Sequence, residues 1–370
     1  MLTRSRAWSS RLIALSYLTL SVVLAGPGLA GDPDRLDAFV ESERAKQRIP
    51  GVGVAIVRGG DVVKLQGYGL ANVEHQVPVK PETIFQSGSL GKQFTAAAVM
   101  LQVEDGRLAL EDPLTRFFPE APAAWGRITV RHLLTHTSGI ADYGRADVDY
   151  RKDYGEEAFA RVAFGLKLGF PPGSRHSYCN TGYALLGCIV RKVSGRFYGD
   201  VLAERVFAPL GMRTARVISE PDIVLDRAAG YRLVDGALKN QEWVSPQLNT
   251  MADGSLYLSL LDLIAWDRGL RAGAVLKPAS WAQVFTPATL TDGTSRPYGF
   301  GWRLGEVAGQ KLQRHGGSWQ GFKSDIARFL GSELTIVVLA NLAEARPERF
   351  TDSLAGLLDP SLATAAKASE

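Results

Sequence analysis

The stretch VGVAIVRGGDVVKLQGYG, residues 52–69, holds two apolar, β-branched runs split by Gly59-Gly60 and predicts a β-hairpin. From Ser89 to Glu104 the pattern changes to a helical one, with Phe94, Ala97, Ala98 and Leu101 on one apolar face and Gly106 beyond its end. Residues 107–290 are mixed. Helical segments such as TGYALLGCIVRKVSG and SLLDLIAWDRGL alternate there with long loops punctuated by Gly and Pro. The chain then returns to strands in YGFGWRL, SDIARFL and LTIVVLANL, followed by a short helix from about Glu348 to Leu358. Strands at both ends with helices between predict an α+β fold, one sheet built from both termini and a helical lobe made by the middle. A cleft between the two is the natural place for a substrate.

The first thirty residues stand apart from this pattern. Arg4, Arg6 and Arg11 precede a mostly apolar run from Leu12 to Ala25, and Gly28 and Ala30 offer small residues before a cut at Gly31. Residues 1–30 therefore read as a secretory signal peptide, with an apolar run short for a membrane span. No cysteine follows that could take a lipid, so the expectation is an exported protein, periplasmic or extracellular, with no stable membrane insertion after cleavage. Losing three arginines lowers the formal charge from +4 to about +1, which leaves no basic run suited to nucleic acid.

What remains reads as one domain over residues 31–360, with an α/β lobe at about 31–106 and 290–360 and a helical lobe at about 107–289. The last residues, SLATAAKASE, 361–370, read as a flexible tail. The two cysteines, Cys179 and Cys188, are nine residues apart on a helical pattern, about 13 Å, which is too far for a disulfide. Two free thiols are expected.

Three segments carry candidate chemistry. In QSGSLGKQF, Ser89 and Lys92 stand three apart, so on a helix they share a face and the amine reaches the hydroxyl. Serine needs a base to become a nucleophile, and a lysine amine serves when its surroundings favour the neutral form. A chain of this length holds roughly one Ser-x-x-Lys by accident, so the pair alone reads equally as an N-cap and a solvated lysine. In HSYCNTGYALLG, Tyr178 offers a phenol and Asn180 an amide, or else a loop aromatic and an N-cap. In QRHGGSWQGF, His315 precedes two glycines that let a ligand or another backbone approach closely.

Two other patterns lead nowhere. His132 and His136 have the i, i+4 spacing of a helical zinc site, but Leu133 stands where the glutamate would be and no third ligand suggests itself. SGSLG would need glycine at Ser87 to form the nucleophile elbow of an α/β-hydrolase.

Taken together and in order, Ser89-x-x-Lys92, Tyr178-x-Asn180 and His315-Gly316-Gly317 resemble the serine β-lactamase and penicillin-binding-protein superfamily. The likeness is greatest to its class C-like branch, which includes D-stereospecific peptidases and esterases. ITVRHLLTHTSGI, DGSLYLSLLDL, YGFGW and TIVVLANL look like that family too, so the resemblance covers roughly residues 35–355. It implies a β-lactamase/transpeptidase-like fold, an antiparallel sheet flanked by helices plus an all-helical lobe.

By this resemblance the protein is a serine hydrolase that cleaves an ester or amide, as a small ester, a D-amino-acid peptide or a β-lactam, through a Ser89 acyl-enzyme. Its partner is a small-molecule or short peptide substrate, and no metal or cofactor is called for. Lys92 and Tyr178 manage the serine proton, with the choice of base between them open because their titrations couple. Asn180 holds the substrate amide, His315 lines the far wall, and Gly317 and Ser318 also bind substrate. The backbone N–H groups of Ser89 and Ser318 form the oxyanion hole. A different class stays open: a binding or sensing module of the same fold that acylates slowly or not at all.

Two departures from the family pattern matter. The third motif has histidine where β-lactamases carry lysine, which weakens the case for β-lactams unless Lys323 or Arg314 supplies the charge. Asp253-Gly254-Ser255 stands where relatives usually carry a double glycine.

Overall fold

The computed structural model describes residues 33–146 and 148–363. The segment read as a signal peptide, residues 1–30, lies outside the described residues. No helix among those described is long and apolar enough to cross a membrane.

Seven strands form one sheet: β1 (Gly51–Arg58), β2 (Asp61–Asn72), β3 (Val77–Pro78), β4 (Arg303–Val307), β5 (Gln310–Trp319), β6 (Phe322–Phe329) and β7 (Leu334–Ala340). Their order across the sheet is β4-β5-β6-β7-β1-β2-β3, and every neighbouring pair is antiparallel. The last strand in the chain thus pairs with the first, Val54 opposite Val338, so the sheet is built from both ends of the domain.

Both faces of the central strands are covered, which is why they read as continuous apolar runs rather than clean alternations. Val52, Val54, Ile56, Ile336 and Val338 pack with Phe350 and Leu354 under α1 (Pro33–Lys46) and α5 (Pro347–Leu358). Ala55, Val57, Val337 and Leu339 face the opposite way, onto Leu260, Leu263 and Trp266 of α4 (Leu260–Arg271) and the interior beyond.

Five expectations need correction. The helical stretch expected from Ser89 begins as a separate 3-10 turn, Gly88–Gly91, and the α-helix α2 runs Lys92–Glu104. Every residue of α2 from Lys92 to Gln102 is buried, not one face alone, because the helix runs through the middle of the domain. YGFGWRL is not a strand throughout: Tyr298 makes one bridge to Arg303, and β4 starts only there.

The lobe expected over 107–289 is neither all-helical nor continuous. Leu256–Leu258 forms a strand against Phe85–Gln86, Tyr231–Asn240 folds into a hairpin, and α4 returns to the sheet, since the apolar face of Val57 and Val337 must be covered. The tail, finally, does not start at Ser361, for Pro360–Leu362 makes a turn that buries Leu362.

Candidate active site

Ser89 sits in the Gly88–Gly91 turn, just ahead of the N-terminus of α2, where free N–H groups and the helix dipole favour negative charge. That turn is pressed onto β5, backbone against backbone. A Cβ on Gly88, whose φ is +53°, would lie 2.4 Å from the Ser318 nitrogen. One on Gly317 would lie 1.9 Å from the Ser87 oxygen, so side chains are excluded at both contacts. Two hydroxyls secure the turn: Ser87 donates to the Gly254 carbonyl at 2.8 Å, and Ser324 donates to the Ser87 carbonyl at 2.6 Å.

Lys92 opens α2 and is fully buried. Its Nζ lies 3.1 Å from Ser89 Oγ and 2.8 Å from Asn180 Oδ1, and it also donates to the Asp253 carbonyl. Carbonyl oxygens only accept. The Asn180 and Asp253 oxygens therefore use two N–H bonds in either protonation state, and the third position of the amine points at Ser89. In the neutral amine that position is the lone pair.

The second motif is held by α3 (Asn180–Ser194), whose first N–H bonds Asp142 Oδ2 at 2.5 Å. Tyr178 lies beside Lys92, with Nζ 5.0 Å from its ring centre. Its hydroxyl oxygen is buried and takes no partner among the described residues, which leaves it for the site. Ser89 lines two cavities. The wider, about 460 Å³, also has Tyr178, His315 and Gly317 in its wall; the narrower, about 110 Å³, has Asn180, Asp253 and Trp319. Ser318 borders both.

His315 is buried, and both its nitrogens are engaged. Nδ1 is 2.6 Å from the Gly316 carbonyl and so carries the proton, while Nε2 is 2.9 Å from the Tyr298 hydroxyl. On the far side of Tyr298 stands His136, whose Nε2 is 3.0 Å from the same hydroxyl and whose Nδ1 accepts the Cys179 N–H at 3.1 Å. The donors therefore run one way: Cys179 N–H to His136, His136 to Tyr298, Tyr298 to His315, His315 to Gly316. Burial, helped by the Lys92 charge, pushes His315 down to about 3 and His136 well below its ordinary value, so both rings are neutral. His315 thus lines the wall without a free polar atom. His132 is elsewhere engaged, its Nδ1 accepting the Thr129 N–H at 3.1 Å.

The beta-lactamase family model matches residues 36–359, nearly all of the described chain. This chain belongs to the beta-lactamase family. It is 30% identical to a penicillin-binding protein of Bacillus subtilis over 84% of this chain and 72% of that protein. A D-aminopeptidase of Brucella anthropi is 32% identical over 84% of this chain, which spans only 59% of that enzyme's length. Among solved structures, the octameric penicillin-binding protein homologue from Pyrococcus abyssi superposes with a TM-score of 0.78 at 31% identity, covering 88% of this chain and 77% of that one.

Of the two cations expected to stand in for the third-motif lysine, Lys323 and Arg314, this beta-lactamase-family site holds only the first. Strand alternation turns Arg314 away from its neighbour His315, onto Asp325 at 2.9–3.1 Å and Asp352 at 2.8 Å, under α5. Lys323, opposite Ser318 on β6, does line the wide cavity. Arg303 lines it too, with its guanidinium 5.9 Å from the Tyr178 ring centre. Sequence reasoning missed Arg303, although it directly follows the YGFGW stretch. It also missed His136 and Tyr298 as partners of the third motif, and the two cysteines between these segments stay free and buried.

Proposed function

We propose that this chain is a serine hydrolase that acylates Ser89 with a D-amino-acid amide, a short D-peptide or a small ester. One observation carries the reading: the buried Lys92 amine has two positions taken by obligate acceptors and its third aimed at Ser89 Oγ, 3.1 Å away. Lys92 takes the Ser89 proton as Oγ bonds the substrate carbonyl carbon. The carbonyl oxygen gains the charge, which the Ser89 and Ser318 N–H groups receive; such donors contribute on the order of 10²–10³ in rate each. As the C–N or C–O bond breaks, the Tyr178 hydroxyl delivers a proton to the leaving group and is recharged from Lys92. Water then attacks the ester and releases the acid.

This assignment places the leaving group on the Tyr178 side, in the wide cavity, and the acyl group beside Asn180, in the narrow one. Arg303, Lys323 and Arg346 outnumber Glu344 and Glu348 around the wide cavity, and Glu344 already accepts the Leu233 N–H at 3.1 Å. A net positive wall favours a leaving group that carries a carboxylate, as a peptide's C-terminal residue does. The D-aminopeptidase relative supports the amide side of this reading. Export through loss of residues 1–30 belongs to the same proposal, and the secreted protein should begin at Gly31.

The test is intact-mass spectrometry after exposure to a fluorophosphonate, with Ser89→Ala as control. An adduct on the native protein and none on the variant is expected, together with turnover of a D-Ala-D-Ala peptide, a nitrophenyl ester or a chromogenic cephalosporin. Unmodified protein without any turnover would sink the proposal, and a stable adduct without turnover would mark a sensing module instead.

A further inference from the structure

We infer that Asp253 anchors a free α-ammonium group on the acyl side of the substrate, so that the site takes amino-acid and peptide amides or esters with an unblocked amino terminus. The inference rests on the acyl-enzyme reading above and narrows its substrate class.

Asp253 is half-buried and lines the narrow cavity with Ser89, Asn180, Ser318 and Trp319. Its backbone carbonyl, not its carboxylate, accepts from Lys92, and the carboxylate makes no ion pair among the described residues. The side chain is nonetheless held in place: Oδ2 accepts the Tyr143 O–H at 2.7 Å. Tyr143 is fixed in turn, by its N–H on Thr181 Oγ1 at 2.8 Å and its ring edge-on to Phe159 at 5.1 Å. Burying a carboxylate is costly: burial, with Asp142 adding like charge, raises its proton affinity, and the Lys92 charge and the Tyr143 O–H offset this only in part. A cation brought by the substrate relieves that cost.

The substrate's own geometry puts a cation there. An α-amino nitrogen lies about 2.5 Å from the carbonyl carbon of its residue by standard backbone dimensions. Once that carbon is bonded to Ser89 with the acyl group beside Asn180, the ammonium lies in the cavity that Asp253 lines. A neutral acyl group leaves the carboxylate unpaired, and a second carboxylate there is repelled.

The test compares D-alanine p-nitroanilide with its N-acetyl derivative on the native protein and on Asp253→Asn, which keeps an oxygen for Tyr143. The expected result is a native kcat/KM ratio favouring the free amine, falling roughly 10–100-fold in the variant. Tyr143→Phe, which frees the carboxylate, should lower the ratio by a smaller factor. A native ratio near one, or a ratio unchanged in Asp253→Asn, overturns the inference. So does an equal loss on both substrates, which would make the carboxylate a base for the deacylating water. If Ser89 labels with fluorophosphonate, these outcomes overturn the ammonium site alone; if it does not label, the acyl-enzyme reading falls with it.

Discussion

The hydroxyl of Tyr298 stands 2.9 Å from Nε2 of His315 and donates to it, because the Gly316 carbonyl holds the ring in its neutral Nδ1–H form. Through His136, the same hydroxyl is tied to the Cys179 N–H in the middle of the second motif. Two walls of the cleft, far apart in sequence, are thus clamped by one phenol.

Replacing Tyr298 by Phe strands the His136 Nε2–H and deprives His315 Nε2 of its donor. A buried polar group left unsatisfied costs about 1–3 kcal/mol. We expect a loss of that order in urea denaturation. Nitrogen-15 NMR should show Nδ1–H on His315 and Nε2–H on His136 in both proteins, held by the Gly316 carbonyl and the Cys179 N–H, with both Nε2 resonances shifted in the variant by loss of the phenol. Nε2 resonances unmoved in Tyr298→Phe would show the phenol to be a bystander.

Acid should destabilise the fold through the same pair. Their folded proton affinities lie below the unfolded value of about 6.5, so above that pH both states are neutral and the full stability is present. As pH falls below about 6.5 the unfolded chain binds protons first, and stability declines towards the folded values. Between pH 7.5 and 5 His315 accounts for about 2 kcal/mol, and His136 adds to the loss in the same direction. Urea midpoints at the two pH values measure this, and His136→Gln should show a smaller drop than the native protein.

Lys92→Ala removes the proposed base and should slow fluorophosphonate labelling of Ser89 by on the order of 10²–10⁴. Labelling at the native rate would move the role of base to Tyr178.

Gly317→Ala puts a Cβ where the Ser87 carbonyl lies 1.9 Å away, so β5 or the Ser89 turn has to move. A shift of about 1 Å at the reacting atoms costs about 10²-fold, and labelling kinetics should drop by that order. An unaffected rate would mean that the oxyanion donors lie elsewhere.

Asp267 is fully buried on α4 and accepts from Arg271 at 2.7 Å, Arg328 at 2.9 Å and Thr335 at 2.7 Å, tying the helix to β6 and β7. Asp267→Ala leaves the buried Arg328 without its carboxylate, and a stability loss of about 3–5 kcal/mol in urea denaturation is expected. A loss under about 1 kcal/mol would mean that solvent reaches the arginines.

Local chemistry made much of this protein legible from sequence alone. Continuous β-branched runs, a helical period and glycine punctuation marked the central strands and the long helices, because those patterns depend on neighbours a few residues apart. The three motifs in order named Ser89, Lys92, Tyr178, Asn180 and His315, which the fold gathers around two cavities that meet at Ser89. Alternation along a strand already excluded Arg314 once His315 was placed in the cleft, a signal present in the sequence and not used. Only the tertiary structure decided what surrounds the serine. Arg303 reaches the cleft because β4 pairs with β5, and Lys323 because β6 sets it opposite Ser318. Asp253 is held at the narrow cavity by a tyrosine 110 residues away. Register and long-range packing are set by the whole core at once, so no short stretch of residues carries them.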